Sequence, residues 1–158
     1  MNDILLWMEG STLGRMMQEI TWLFPCAEIF HFIGLSLLMG SILVVDIRLL
    51  GFSRDVPLDA VYKFLPITVI GFSINLVTGI MFCFNDPFRY YPNLAFRLKM
   101  LLLVLAGINA IYFSSIARAS SNAVGAEDSK PKVKIIAALS LLFWISVIVC
   151  GRLIPYLE

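Results

Sequence analysis

Four mostly apolar runs, each about twenty residues long, dominate this 158-residue chain. A helix needs about 20 mostly apolar residues to cross the hydrocarbon core of a bilayer, where every backbone N–H and C=O must be satisfied inside the segment. The runs at about 22–46, 64–84, 97–118 and 133–154 meet that requirement. None alternates every second residue, as the strands of a membrane barrel do. The chain therefore reads as all-α, an integral membrane four-helix bundle forming a single domain over residues 1–158. Composition agrees, with 59% hydrophobic and only 15% charged residues, against about 25% charged in a soluble domain. A net charge of +1 gives no electrostatic case for nucleic acid.

The segments between the runs carry turn chemistry and charge. Residues 51–63 hold Gly, Pro and charged groups, and residues 85–93 combine two prolines with an aromatic pair suited to a membrane interface. Residues 118–132 are the most polar stretch and are expected to be the most mobile loop. Ahead of the first run, Leu13, Met16, Met17 and Ile20 recur at helical spacing opposite Arg15, Gln18 and Glu19. This predicts a short N-terminal amphipathic helix, lying in the interface or capping the bundle. The first residues are acidic and their apolar stretch is short, so no cleavable signal peptide is expected. Cys26, Cys83 and Cys150 lack CxxC spacing and read as small apolar packing residues.

Basic residues set the orientation. Arg15, Arg89, Arg97, Lys99 and Arg152 fall on one side of the membrane; Arg48, Arg54, Lys63, Arg118, Lys130, Lys132 and Lys134 fall on the other. The richer side is cytoplasmic by this rule, which places both termini in the periplasm of a bacterial inner membrane, in a multi-pass arrangement.

Polar groups inside an apolar span are costly and mark candidate function. The first run contains Glu28-x-x-His31, and His31 is the only histidine. Three-residue spacing puts both side chains on one helical face, with His31 about 13 Å past Trp22 at 1.5 Å per residue. Counting spans places Glu28, His31, Arg97, Lys99 and Arg152 in the same half of the bilayer. One imidazole in an apolar setting, with cations nearer the surface, suits a heme: His31 as axial ligand, Arg97, Lys99 and Arg152 toward the propionates, and Glu28 tuning the site. Phe24, Phe30, Phe32, Phe84, Phe96 and Trp144 are candidate pocket walls. With no second histidine, bis-histidine ligation within one chain is excluded, and Met39, Met81 or Met100 are possible second ligands.

The stretches FPCAEIFHFIGLSLLMGSILVVDIRLLG and FRLKMLLLVLAGINAIYF resemble a group of small four-helix bacterial membrane proteins. More distantly, they are similar to the HemJ-type protoporphyrinogen oxidases and the CopD-like membrane domains. The HemJ resemblance implies a heme b protein with a functional histidine in the first helix and a lysine in the third, matched here by His31 and Lys99. The function expected is electron transfer, or oxidation of a small hydrophobic substrate such as a quinol or porphyrin-like molecule. A copper site is the weaker metal alternative, since MxxM and CxxC clusters are missing. A different class, a structural subunit or small permease without cofactor, makes Glu28 and His31 a structural pair with Lys99 as counter-charge.

Asp46 and Arg48 close the first span and read mainly as interfacial anchors, with proton entry as the sharper alternative. Asn75 and Asn109 lie mid-span and suit interhelical hydrogen bonds. The spacings Ser36/Gly40 and Gly71/Asn75/Gly79 provide small-residue seams, within the bundle or between protomers, and a homo-oligomer is expected. No nucleophile elbow or phosphate loop is visible.

Overall fold

The computed structural model describes residues 2–52, 55–57, 60–61, 63–119 and 131–157, with side chains of 116–119 excepted. The loop expected at 118–132 thus falls largely outside the described residues, as do Arg54, Lys130 and the side chain of Arg118. Among the described residues the fold is all-α. Seven helices are present there: α1 (Asn2–Gly10), α2 (Thr12–Glu19), α3 (Leu23–Leu50), α4 (Leu65–Asn85), α5 (Pro87–Tyr90), α6 (Leu94–Ala119) and α7 (Pro131–Leu153), followed by a 3₁₀ turn at Ile154–Tyr156. Of these, α3, α4, α6 and α7 are long and apolar enough to cross a membrane.

Local chemistry explains the helix ends. Ser11 caps α2 by accepting the Gly14 N–H at 3.1 Å. At the far end of α3, Gly51 turns left-handed at φ 100°. Its N–H reaches the Arg48 carbonyl and that of Phe52 reaches the Ile47 carbonyl, the pair of bonds of a Schellman stop. Asp86 accepts the Arg89 N–H at 3.1 Å and starts α5 with Pro87 in its first turn.

The long helices pack in the order α4–α3–α7–α6. The outer members of that row, α4 and α6, rest on the middle pair rather than on each other. A 3–4 spacing of inward residues drives the middle contacts. On α3 the seam is Leu35, Leu38, Ile42, Val45 and Leu49; on α7 it is Val133, Ala137, Ser140, Trp144 and Val147; on α6 it is Ala95, Lys99, Leu102, Ala106 and Asn109. Leu38, Ile42, Ala106, Trp144 and Val147 form one buried cluster at mid-height, and Val45, Leu49, Val61, Val133 and Ala137 another below it.

The closest backbone approach is between α3 and α4. A Cβ on Gly71 would lie 2.6 Å from the Leu38 nitrogen and 2.7 Å from the Gly34 carbonyl, so only glycine fits there. The partner is Gly34, not the Ser36/Gly40 pair expected from spacing. Gly40 and Gly79 have open space where a Cβ would stand, and Ser36 is exposed. Of the expected seams, Gly71 and Asn75 join helices of this chain, both against Gly34.

The amphipathic helix expected near the N-terminus is α2, and α1 precedes it as a second short helix. The pair caps one end of the helix pack. Met17 and Leu5 are buried, Gln18 donates to the Asn85 carbonyl at 2.9 Å, and Trp7 meets Phe84 edge-on at 6.4 Å. Gly14 sits so tightly against the ends of α1 and α4 that a Cβ would meet three carbonyl oxygens within 2.9 Å. On the same end, Asn93 caps α6 through the Phe96 N–H and donates to the Ile154 and Leu157 carbonyls, pinning the C-terminal turn.

Candidate functional site

The capped end gathers polar side chains from five helices. On α3 the inward seam continues upward from Leu38 and Leu35 to His31 and Glu28, by steps of three and four residues. Along that line burial falls steadily: Leu38 is 3% exposed, His31 is half-buried and Glu28 is exposed. The interior is therefore closed at mid-height by Trp144, Leu38, Ala106 and Val147, and opens toward the capped end.

His31 has a defined orientation. Its Nδ1 lies 2.7 Å from the Thr78 hydroxyl on α4. That hydroxyl is also 2.8 Å from the Ile74 carbonyl, which can only accept. With the hydroxyl proton on that carbonyl, His31 Nδ1 is the donor and Nε2 keeps a lone pair; with the proton on the Nδ1 side the roles reverse. Phe82 flanks the imidazole at 5.3 Å between ring centroids, with Phe24 behind it at 5.5 Å.

Lys99 projects from α6 into the same opening. Its Nζ stands 3.4 Å from the position of a Cβ on Gly151, and its ammonium acts electrostatically on His31, Cys83 and Cys150. Gly151 thus leaves the room the lysine occupies. Tyr90 on α5 joins the group, since its hydroxyl feels the charges of Cys83, Arg89, Asp86 and Glu28. Burial pushes that phenol above its ordinary range, with the neighbouring negative groups adding to the effect. The Tyr90 ring packs edge-on against Phe96 at 5.6 Å.

Of the five site residues read from sequence, His31 and Lys99 are brought together most directly. Glu28 stands at the mouth near Tyr90 and makes no hydrogen bond to His31 among the described contacts. Arg97 and Arg152 are exposed at the rim, and Arg152 stacks over the Tyr156 ring at 5.7 Å. Phe30 and Phe32, expected as pocket walls, point outward at 57% and 66% exposure. Phe84 is engaged with Trp7 instead. Thr78, Phe82, Cys83 and Tyr90 were missed, although Gly71, Asn75, Thr78 and Phe82 repeat the same 3–4 step along α4 and carried that signal. Among the described residues no group of three or more His, Cys, Asp or Glu is arranged to hold a metal ion.

The other polar positions are distributed differently. Asn109 donates to the Ile136 carbonyl at 3.1 Å and ties α6 to α7, as its mid-span place suggests. Asn75 instead bonds its own helix, at the Gly71 carbonyl. Asp46 and Arg48, expected as interfacial anchors, are each only 6% exposed. Arg48 Nε donates to the Val56 carbonyl at 2.7 Å, which folds the connecting segment back over the end of α3.

Comparison with known proteins leads to a family but not to an activity. No curated protein and no solved structure matches the chain. A family model described as a family of unknown function, DUF6644, matches residues 4–157, from the first turn of α1 to the C-terminal turn. The chain belongs to the DUF6644 family.

Proposed function

We propose that this is a multi-pass membrane protein of the bacterial inner membrane, a four-helix bundle with both termini periplasmic, that holds a b-type heme at its capped end. The observation that carries the reading is the 2.7 Å contact between His31 Nδ1 and the Thr78 hydroxyl, which in the tautomer with Nδ1 as donor leaves Nε2 a lone pair for a ligand. A histidine oriented by a hydrogen bond at one ring nitrogen and available at the other is the usual arrangement of a metal-ligating imidazole. The residues present fit the group: His31 for the iron, Phe82 and Phe24 as apolar walls, and Lys99 as the interior cation for a propionate. Arg97 and Arg152 serve the rim, and Glu28 with Tyr90 stands at the mouth.

The bound heme would supply one-electron redox chemistry. The chain's own part is to hold the imidazole in one tautomer, set a positive charge beside it and close the interior below with Trp144. The substrate class is a small hydrophobic reductant, quinol or porphyrin-like, reaching the site from the outer leaflet. Outward-facing Ser36 and Gly40 leave a close-approach surface on α3 for a second copy.

Purified protein expressed with ample heme should show a Soret band. His31→Ala should abolish or strongly shift it, and Lys99→Ala should retain much of it. Thr78→Val should weaken heme binding about 10–100-fold, the range for losing an orienting partner. A well-folded sample without a Soret band overturns the heme reading in favour of a cofactor-free subunit or permease. Elemental analysis of the same sample tests copper. Cysteine labelling of residues 120–130 should succeed only from the cytoplasm; labelling from outside inverts the orientation.

A further inference from the structure

The lower half of the molecule contains one group that the proposed site does not use. Asp46 lies on α3 fifteen residues beyond His31, about 22 Å along the helix axis. It is 6% exposed, so the protein itself removes it from solvent. The buried cluster Val45, Leu49, Val61, Val133 and Ala137 lies in the same half of the helix pack. The Ser140 side chain on α7 is the polar neighbour of the carboxyl. Oδ2 is fully buried and has no hydrogen-bond partner.

An ionised carboxylate in this setting leaves a full charge with an orphaned acceptor in a low-dielectric interior, an arrangement that costs several kcal/mol. Among the described residues, no cation hydrogen-bonds that oxygen. On the same helix, Arg48 directs its Nε to the Val56 carbonyl. On α7, Lys134 is half-buried in the first turn, away from Ser140 by six residues. On α6 the facing polar group is Asn109, spent on the Ile136 carbonyl. Lys63, beyond Val61, is exposed.

We propose that Asp46, with Ser140, is a proton-binding site in the lower half of the helix pack. The ligand is a proton taken from water. Oδ2 gains the O–H bond, the carboxyl becomes neutral, and Ser140 donates to the other oxygen. The site stands apart from the heme reading and requires only the packing of α3 against α7.

The test is infrared spectroscopy of the full-length folded protein at neutral pH, with aspartate side-chain carboxyls carbon-13 labelled. The expected result is an acid C=O band that moves with the label, vanishes in Asp46→Asn and shifts in frequency in Ser140→Ala. The other described aspartates, Asp3, Asp55 and Asp86, keep solvent contact and contribute carboxylate bands only. Carboxylate bands alone in the labelled wild type overturn the proposal, whether or not Asp46→Asn folds. An acid band that persists in Asp46→Asn belongs to another residue and overturns the assignment.

Discussion

The two ends of this molecule treat polar side chains in opposite ways. At the capped end, Glu28, His31, Lys99 and Tyr90 sit in an interior that opens outward, each half-buried or exposed. In the lower half, which also holds the buried cluster Val45, Leu49, Val61, Val133 and Ala137, Asp46 is only 6% exposed. The same 3–4 seam runs through both regions, so the difference comes from what stands opposite it. Above Trp144 the facing positions are Lys99, Cys150 and Gly151, which are half-buried; below it they are Ala137 and Val133, which are buried. A polar residue at a seam position is a potential binding group where the seam is unfilled, and a stored proton or structural tie where it is filled.

The comparison is broken most severely at the backbone. Gly71→Val forces a side chain against the Leu38 nitrogen and Gly34 carbonyl, neither of which can move alone. Overpacking typically costs about 1–3 kcal/mol and more where backbone must shift. A thermal melt in detergent should show loss of the folded state, and Gly79→Ala, with open space at its Cβ, should melt like wild type.

Trp144→Ala removes the floor between the two regions and should cost about 3–5 kcal/mol, as large buried aromatics do. The same variant should expose Asp46 to solvent from above, seen as faster hydrogen exchange in α3 around residues 42–46. Unchanged exchange there would show that Trp144 does not divide the regions.

A smaller effect separates the two polar groups. His31→Ala, at a half-buried position, should remove bound chromophore while its melting temperature stays near that of heme-free wild type. Asp46→Ala should destabilise without affecting the chromophore, because it opens a cavity and strands the Ser140 hydroxyl. Asn109→Leu should cost about 0.6 kcal/mol, the average for an interhelical hydrogen bond in a membrane.

The smallest effect is electrostatic. The folded protein holds the Tyr90 proton more tightly than the unfolded chain. The stabilisation from that proton is complete below the unfolded phenol range and is lost as pH rises through the higher folded value. Wild type should lose stability on the alkaline side relative to Tyr90→Phe, measured by melts across that range.

Much of this was legible beforehand. Four apolar runs specify four long helices because a bilayer-length segment can satisfy its backbone only within itself. The placing of Glu28, His31 and Lys99 toward one end follows from counting spans. The 3–4 seams on α3, α6 and α7 were also written in the residue order, and reading them along α4 would have put Thr78 on one face with Gly71, Asn75 and Phe82.

What no linear pattern carried was which faces meet. Ser36/Gly40 and Gly34/Gly71 are equally small by sequence, yet only the second pair touches, because close approach depends on the crossing point of two helices. Asp46 at a span end looked like an anchor; it became a buried acid because α7 and the segment at Val56 and Val61 fold over it. Sequence alone determined an all-α chain with four helices of membrane-spanning length and a polar investment near one end. The tertiary structure decided which polar groups are open to a ligand and which are sealed, since burial depends on the atoms supplied by distant parts of the chain.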